Sequence, residues 1–235
     1  MTSELVFLLD VDNTLLDNDS IIADLRAHLM QTFGAASADR YWATFEKLRE
    51  ELGYADYLGA LQRYRAELDR GDTGDPRLLL MSSFLVDYPF ADRLYPDALN
   101  VVAHLGTLGT TVILSDGDVV FQPRKVQRSG LWHAVQGRVL IYIHKEKMLD
   151  QVQGLYPARR YVMVDDKLRL LDAMKRVLGD RLVTVFARQG HYAHGAAAIA
   201  AYAAYPAADH SVERIGELLE FDAAKFLGVA KKEPS

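Results

Sequence analysis

The residues best equipped for chemistry stand together near the start of the chain, in Asp10-Val11-Asp12-Asn13-Thr14-Leu15-Leu16. Two carboxylates at i and i+2 of an extended segment point to the same side. They repel each other, and a divalent hard cation relieves that repulsion. On its own an Asp-x-Asp is more often merely an acidic loop. Three further polar clusters change that balance. Leu114-Ser115-Asp116-Gly117-Asp118 offers a hydroxyl and a glycine turn with free amides. His144-Lys145-Glu146-Lys147 offers two lysines, and Val164-Asp165-Asp166-Lys167 a second carboxylate pair. Together these groups suit Mg²⁺ and a phosphate. Lysine and backbone amides hold phosphoryl oxygens, while the metal offsets negative charge.

The elements that must position them are legible as apolar runs. Leu5–Leu9, Thr111–Leu114, Val139–Ile143, Tyr161–Val164 and Leu182–Phe186 are continuous rather than alternating. That pattern suits strands covered on both faces of a parallel sheet. Helical spacing fills Pro96–Leu108 and Leu168–Leu178, with proline near one start and glycine past the ends. Strand-helix alternation predicts an α/β, Rossmann-like doubly wound parallel sheet. Ligands of such sheets bind at the carboxyl ends of the strands, where each polar cluster falls.

Residues 19–92 break the rhythm. Ile21, Ile22, Leu25, Leu29 and Phe33 have helical spacing, as do Trp42, Phe45 and Leu48, then Tyr57, Leu58, Leu61, Tyr64 and Leu68. The loop Gly71–Pro76 precedes a last helical piece around Leu78–Val86. This is too much helix for one crossover. The expectation is an inserted all-helical subdomain at 19–91, with an α/β core built from 1–18 and 92–235. Beyond the last strand, Gly195–Ala204 predicts helix, and so does Val212–Phe221 after Asp209-His210-Ser211. The tail Lys231–Ser235 is expected to fray.

Composition removes several classes of function. Without cysteine there is no disulfide framework, zinc-thiolate site, iron–sulfur cluster or cysteine nucleophile. A net charge of −5 and the lack of any basic run disfavour nucleic-acid binding. No run of about 18 apolar residues predicts a membrane span, and Met1–Phe7 does not resemble a signal peptide. The expectation is a soluble, cytoplasmic protein, monomeric or homodimeric, with no nucleic-acid or membrane partner.

With its four motifs in order, the chain resembles the haloacid dehalogenase-like hydrolase superfamily, over about Leu5–Asp17 and Asp92–Phe221. The resemblance implies Asp10 as a nucleophile that becomes an aspartyl-phosphate, and Asp12 as general acid and base. It implies Ser115 as the hydroxyl bonded to the phosphoryl group, with Thr14, Asp116 and Gly117 beside the substrate. Lys145 or Lys147 would be the motif lysine; Lys145 lies closer to the strand end. Mg²⁺ would be held by Asp10, Asp12 through its carbonyl, Asp165 and Asp166. Asp166 is the favoured direct ligand, with Asp165 acting directly or through water. The helical insertion matches the family's cap, which closes over small phosphorylated metabolites.

Asp12 discriminates within the superfamily. A halide leaving group needs no proton, and the true dehalogenases lack an aspartate at this position. The resemblance therefore implies a phosphatase, with a phosphotransferase or phosphomutase on the same scaffold as the alternative. A haloacid dehalogenase or a non-catalytic binder fits less well. Two departures from the family pattern concern substrate preference: Lys145-Glu146-Lys147 replaces the usual Lys-Pro, and Asp116 replaces a common asparagine. Among other residues, Arg124 and Lys125 fit a helix surface. Arg40, Lys47, Arg49, Arg63 and Arg65 fit solvated faces of the insertion, and His191, His194 and His210 fit ordinary loops.

Overall fold

A computed structural model describes residues 3–68 and 74–228. Six parallel strands form one sheet in the order β3-β2-β1-β4-β5-β6. They are β1 (Ser3–Leu9), β2 (Thr110–Asp116), β3 (Val139–Tyr142), β4 (Ala158–Asp165), β5 (Leu182–Ala187) and β6 (His210–Val212). The five expected strands are all present. The physical reason lies in β1, where every residue from Leu5 to Leu9 is at most 1% exposed. Alternate side chains enter opposite layers. Leu5, Phe7 and Leu9 join one core with Ile113, Val162 and Val164; Val6 and Leu8 join the other with Val112, Leu114 and Met163.

Between β1 and β2 the described chain forms four helices: α1 (Asn18–Phe33), α2 (Ala35–Leu52), α3 (Tyr57–Ala66) and α4 (Arg77–Asp87). Asp17 caps α1 by accepting from Ser20 N, and Asp56 caps α3 by accepting from Gly59 N. The remaining helices are α5 (Ala98–Leu108), α6 (Phe121–Arg128), α7 (Leu131–Ala134), α8 (Leu149–Leu155), α9 (Leu168–Leu178), α10 (Gly195–Ala204) and α11 (Ala223–Leu227). Helices α5, α7 and α11 cover one face of the sheet, and α8 and α9 the other. A ladder of rings joins the inserted helices to this core: Phe45 stacks on Tyr57, Tyr57 meets Phe121, and Phe121 meets Phe90.

One expected helix is corrected. Val212–Phe221 is not helical throughout; Val212 ends β6, and a 3₁₀ turn spans Ile215–Glu220. Strand β6 has only three residues, and its partly polar sequence carries no strand signature. Residues 71–73 of the expected loop and the expected frayed tail lie outside the described residues.

Candidate active site

Strand β1 occupies the point where the strand order reverses, the usual ligand crevice of such sheets. Asp10 follows it directly, and its N–H donates to Val164 O at 3.0 Å. The Asp10 backbone is therefore stitched beside the end of β4, which terminates at Asp165. The chain then turns tightly, because Val11 O accepts from the N–H groups of Thr14, Leu15 and Leu16. Asn13 sits at φ 58°, a left-handed conformation that asparagine tolerates. Its side-chain oxygen accepts from Asn18 N and Asp19 N and so caps the entry to α1. A Cβ at Gly190 would lie 2.5 Å from the Asn13 side chain, so only glycine lets this loop approach. Gln189 completes the frame, donating to Thr14 O and accepting from Ile215 N.

Five of the expected side chains gather around Asp10, three of them in direct contact with it. Lys145 Nζ lies 2.5 Å from Asp10 Oδ1 and 2.7 Å from Asp165 Oδ2. Thr14 Oγ1 donates to Asp10 Oδ2 at 3.2 Å, and Ser115 Oγ lies 3.4 Å from Asp10 Oδ1. Asp10, Asp165 and Asp166 are all buried, and each offers an oxygen within 4.8 Å of the others. Burial works to raise the Asp10 pKa, but Lys145 and Lys167 outweigh it and hold the group below its ordinary value. Burial also opposes the charge on Lys145, yet Asp10, Asp165 and Asp116 raise its pKa.

Asp166 is different. Neither of its carboxylate oxygens has a hydrogen-bond partner, and the nearest ammonium, Lys167 Nζ, is 4.0 Å away. Burial pushes its pKa well above the carboxylate range, and Asp165 and Asp10 add to that. Asp165 is also raised by burial, but its oxygens face Lys167 N and Lys145 Nζ. Three carboxylates against two lysines leave one formal negative charge. A buried carboxylate with unpaired oxygens in such a cluster fits a hard divalent cation.

Other expected residues are placed elsewhere. Asp116 Oδ1 accepts from Lys145 N at 2.7 Å, so it anchors the turn that presents Lys145. Three of the amides in and after the turn already have partners. Gly117 N donates to Tyr142 O, while Asp118 Oδ1 accepts from Val120 N and Phe121 N. Gly117 serves packing instead: a Cβ there would lie 2.6 Å from Gln122 Cβ. Lys147 is exposed, and none of its described contacts reaches this cluster. Arg40, Arg49 and Arg63 engage Glu67 O, Glu46 and Glu51 on the insertion's surface. His191 pairs with Asp19, which also accepts from Asn13 Nδ2.

Lys125 corrects the expectation of a helix surface. It is 1% exposed, and its Nζ lies 2.7 Å from Asp12 Oδ1 and 2.9 Å from Asn18 Oδ1. Gln122, unremarked in the sequence, donates from Nε2 to Ser115 Oγ at 3.0 Å. Both belong to α6, on the buried face that also carries Phe121 and Val126.

A family model of haloacid dehalogenase-like hydrolases matches residues 5–177. The chain belongs to the haloacid dehalogenase-like hydrolases. It is similar to a protein of Burkholderia xenovorans LB400 assigned to the same group, with 67% identity over 94% of this chain and 99% of that one, at a TM-score of 0.86. A haloacid dehalogenase-like family hydrolase from Xanthomonas campestris shares 16% identity over 98% of this chain and 95% of that one, at a TM-score of 0.63. The L-2-haloacid dehalogenase of Xanthobacter autotrophicus shares 18% over 91% and 96%, at 0.55. These last two likenesses are of fold. No curated protein matches the chain. This hydrolase has no described helix long and apolar enough to cross a membrane.

Proposed function

We propose that this hydrolase is a Mg²⁺-dependent cytoplasmic phosphatase, acting on a small phosphomonoester through an aspartyl-phosphate on Asp10. The observation that carries the reading is the buried cluster of Asp10, Asp165 and Asp166, with the Asp166 oxygens unpaired; Asp12 follows Asp10 by two residues, its carboxylate held by Lys125. Displacing a halide from a haloacid requires neither a cation nor a proton donor; the buried carboxylate cluster supports a cation site, and Asp12 is the candidate proton donor. Phosphoryl transfer requires charge neutralisation and a proton for the leaving oxygen.

The chemistry assigned to the residues is as follows. Lys145 and the depressed pKa keep Asp10 a carboxylate, ready to attack phosphorus. As the ester P–O bond breaks, Asp12 protonates the departing alkoxide. Asp12 then takes a proton from the water that attacks the aspartyl-phosphate, releasing inorganic phosphate and restoring Asp10. Ser115, oriented by Gln122, and Lys145 hold the phosphoryl oxygens. Asp10, Asp165, Asp166 and the Asp12 carbonyl would hold Mg²⁺, with Asp166 as the favoured direct ligand. Bound there, the cation would supply the positive charge that lets an anionic nucleophile approach an anionic phosphate.

The inserted helices are read as a cap that excludes water and receives the leaving group. A cleft of about 320 Å³ lies between Tyr54–Gln62 of the insertion and Gly117–Val120 and Ile141–Ile143 of the core. It starts two residues past Ser115. Tyr54, Leu58, Val120 and Ile143 line it, with Asp56 and Asp118 as its charged groups. Among the described residues no lysine or arginine lines it, which favours an uncharged alcohol as leaving group. A phosphotransferase would share every group named here and differ only in its acceptor.

The test is phosphate release from 4-nitrophenyl phosphate and a metabolite panel, with Mg²⁺, with EDTA and with Asp10→Asn. Metal-dependent release lost in the variant is the expected result. Chloride release from 2-haloacids without any phosphate release would overturn the reading.

A further inference from the structure

We propose that Lys125 is a positioning residue that aims Asp12 and couples it to the placement of the inserted helices. This rests on the phosphatase reading, in which Asp12 moves the protons. A buried ammonium is costly unless hydrogen-bonded and paired, and Lys125 has two oxygen partners on different elements. Asp12 Oδ1 is one, at 2.7 Å, and Asn18 Oδ1 is the other, at 2.9 Å. The Lys125 side chain is 1% exposed and that of Asp12 is 27% exposed. The acid is therefore open to a substrate yet tethered from behind by one oxygen. Its second oxygen stays available to carry a proton.

The tether reaches the insertion from three directions. Asn18 is the first residue of α1, where the chain leaves the core. Lys125 Nζ lies 5.1 Å from the centre of the Phe121 ring, and Phe121 meets Tyr57, the first residue of α3. On the same helix, the adjacent Arg124 donates to Val86 O and Arg128, one turn on, to Tyr88 O, where the chain returns to the core. Helix α6 thus grips both crossings and the start of α3. Any rotation of the inserted helices against α6 shifts Asn18 relative to Lys125. Without the Asn18 oxygen, Lys125 would have Asp12 as its sole hydrogen-bond acceptor, and the aim of the carboxylate would change. The acid would then be correctly set only when the insertion is correctly seated.

Two esters of different leaving-group strength separate this role from a merely structural one. 4-Nitrophenolate departs without a proton, whereas phenolate benefits from one. In Lys125→Met, kcat/KM for phenyl phosphate is expected to fall by about 10- to 100-fold, and for 4-nitrophenyl phosphate by less than about 3-fold. The value of kcat is expected to fall for both, because water activation is shared. Lys125→Arg, which keeps the charge, should recover most of the phenyl phosphate kcat/KM and so remove most of the difference between the two esters. Asn18→Leu should shift the ratio the same way but less, and it carries the test if Lys125→Met does not fold. Equal losses of kcat/KM on both esters would overturn the coupling while leaving the phosphatase reading intact. Failure of the wild-type protein to hydrolyse either ester would instead remove the reading on which it rests.

Discussion

Lys145 Nζ sits between the Asp10 and Asp165 carboxylates, 2.5 Å from one and 2.7 Å from the other, with all three side chains at most 4% exposed. This ammonium is the internal counter-ion of the site. Removing one partner of a buried ion pair leaves an uncompensated charge, worth about 3–5 kcal/mol. Lys145→Met should therefore lose both stability and activity, with turnover falling at least about 100-fold. Chemical denaturation and phosphate release check the two effects. Lys147→Met, at an exposed position two residues on, should change neither measurably.

Asp166 makes the opposite prediction. Its pKa is raised by burial, so in the metal-free fold it keeps a proton to a higher pH than in the unfolded chain. Where the unfolded state has released that proton and the folded state has not, stability falls as pH rises. Asp166→Asn, which cannot ionise, should therefore stabilise the metal-free protein relative to the wild type at neutral pH. Below the ordinary carboxylate range both states are protonated and the gain should vanish. Mg²⁺ should raise the Tm of the wild type and leave that of the variant nearly unchanged. Thermal melts in EDTA and in Mg²⁺, at neutral and acidic pH, test all three statements.

Much of this arrangement was legible in the sequence, for a physical reason. A strand buried on both faces must be apolar throughout, so β1 and its neighbours announce themselves, and the polar residues at their ends are conspicuous by contrast. The choice between Lys145 and Lys147 rested on nearness to the end of β3, and Lys145 is the one that reaches Asp10. Lys125 was not legible because its burial is purchased by Asp12 and Asn18, more than 100 residues distant in the chain. Its neighbour Arg124 points instead to Asp87. Of the amides after Ser115, Gly117 N is taken by Tyr142 O, and Val120 N and Phe121 N by Asp118. Such pairings depend on tertiary distance, and composition carries no trace of it.

Gln122 orients the Ser115 hydroxyl. Its Nε2 donates to Ser115 Oγ, so the hydroxyl hydrogen is left to point at Asp10 Oδ1 or at a bound phosphoryl oxygen. Gln122→Leu should lower kcat/KM by about 10-fold, the worth of one hydrogen bond to a charged group. Gly117→Ala should do the same indirectly, since its methyl would collide with Gln122 Cβ. Combined with Ser115→Ala, Gln122→Leu should add little, because both act through one hydroxyl. Full additivity in this double-mutant cycle would show that Gln122 acts by another route.

The cleft beside Ser115 should discriminate by charge. It holds Asp56 and Asp118 with no described lysine or arginine in its wall. An ester whose alcohol carries a carboxylate or a second phosphate would meet like charge there, as well as lose its own hydration. Esters of neutral alcohols should therefore exceed isosteric anionic ones in kcat/KM by at least about 10-fold, the effect of 1.4 kcal/mol. Gln62, on the wall contributed by α3, provides the converse test. Gln62→Arg places a cation opposite Asp118 and should raise kcat/KM for anionic esters several-fold, with the gain shrinking as salt is added. Neutral esters should respond little. If anionic esters were preferred by the wild-type protein, the leaving group would have to lie outside this cleft.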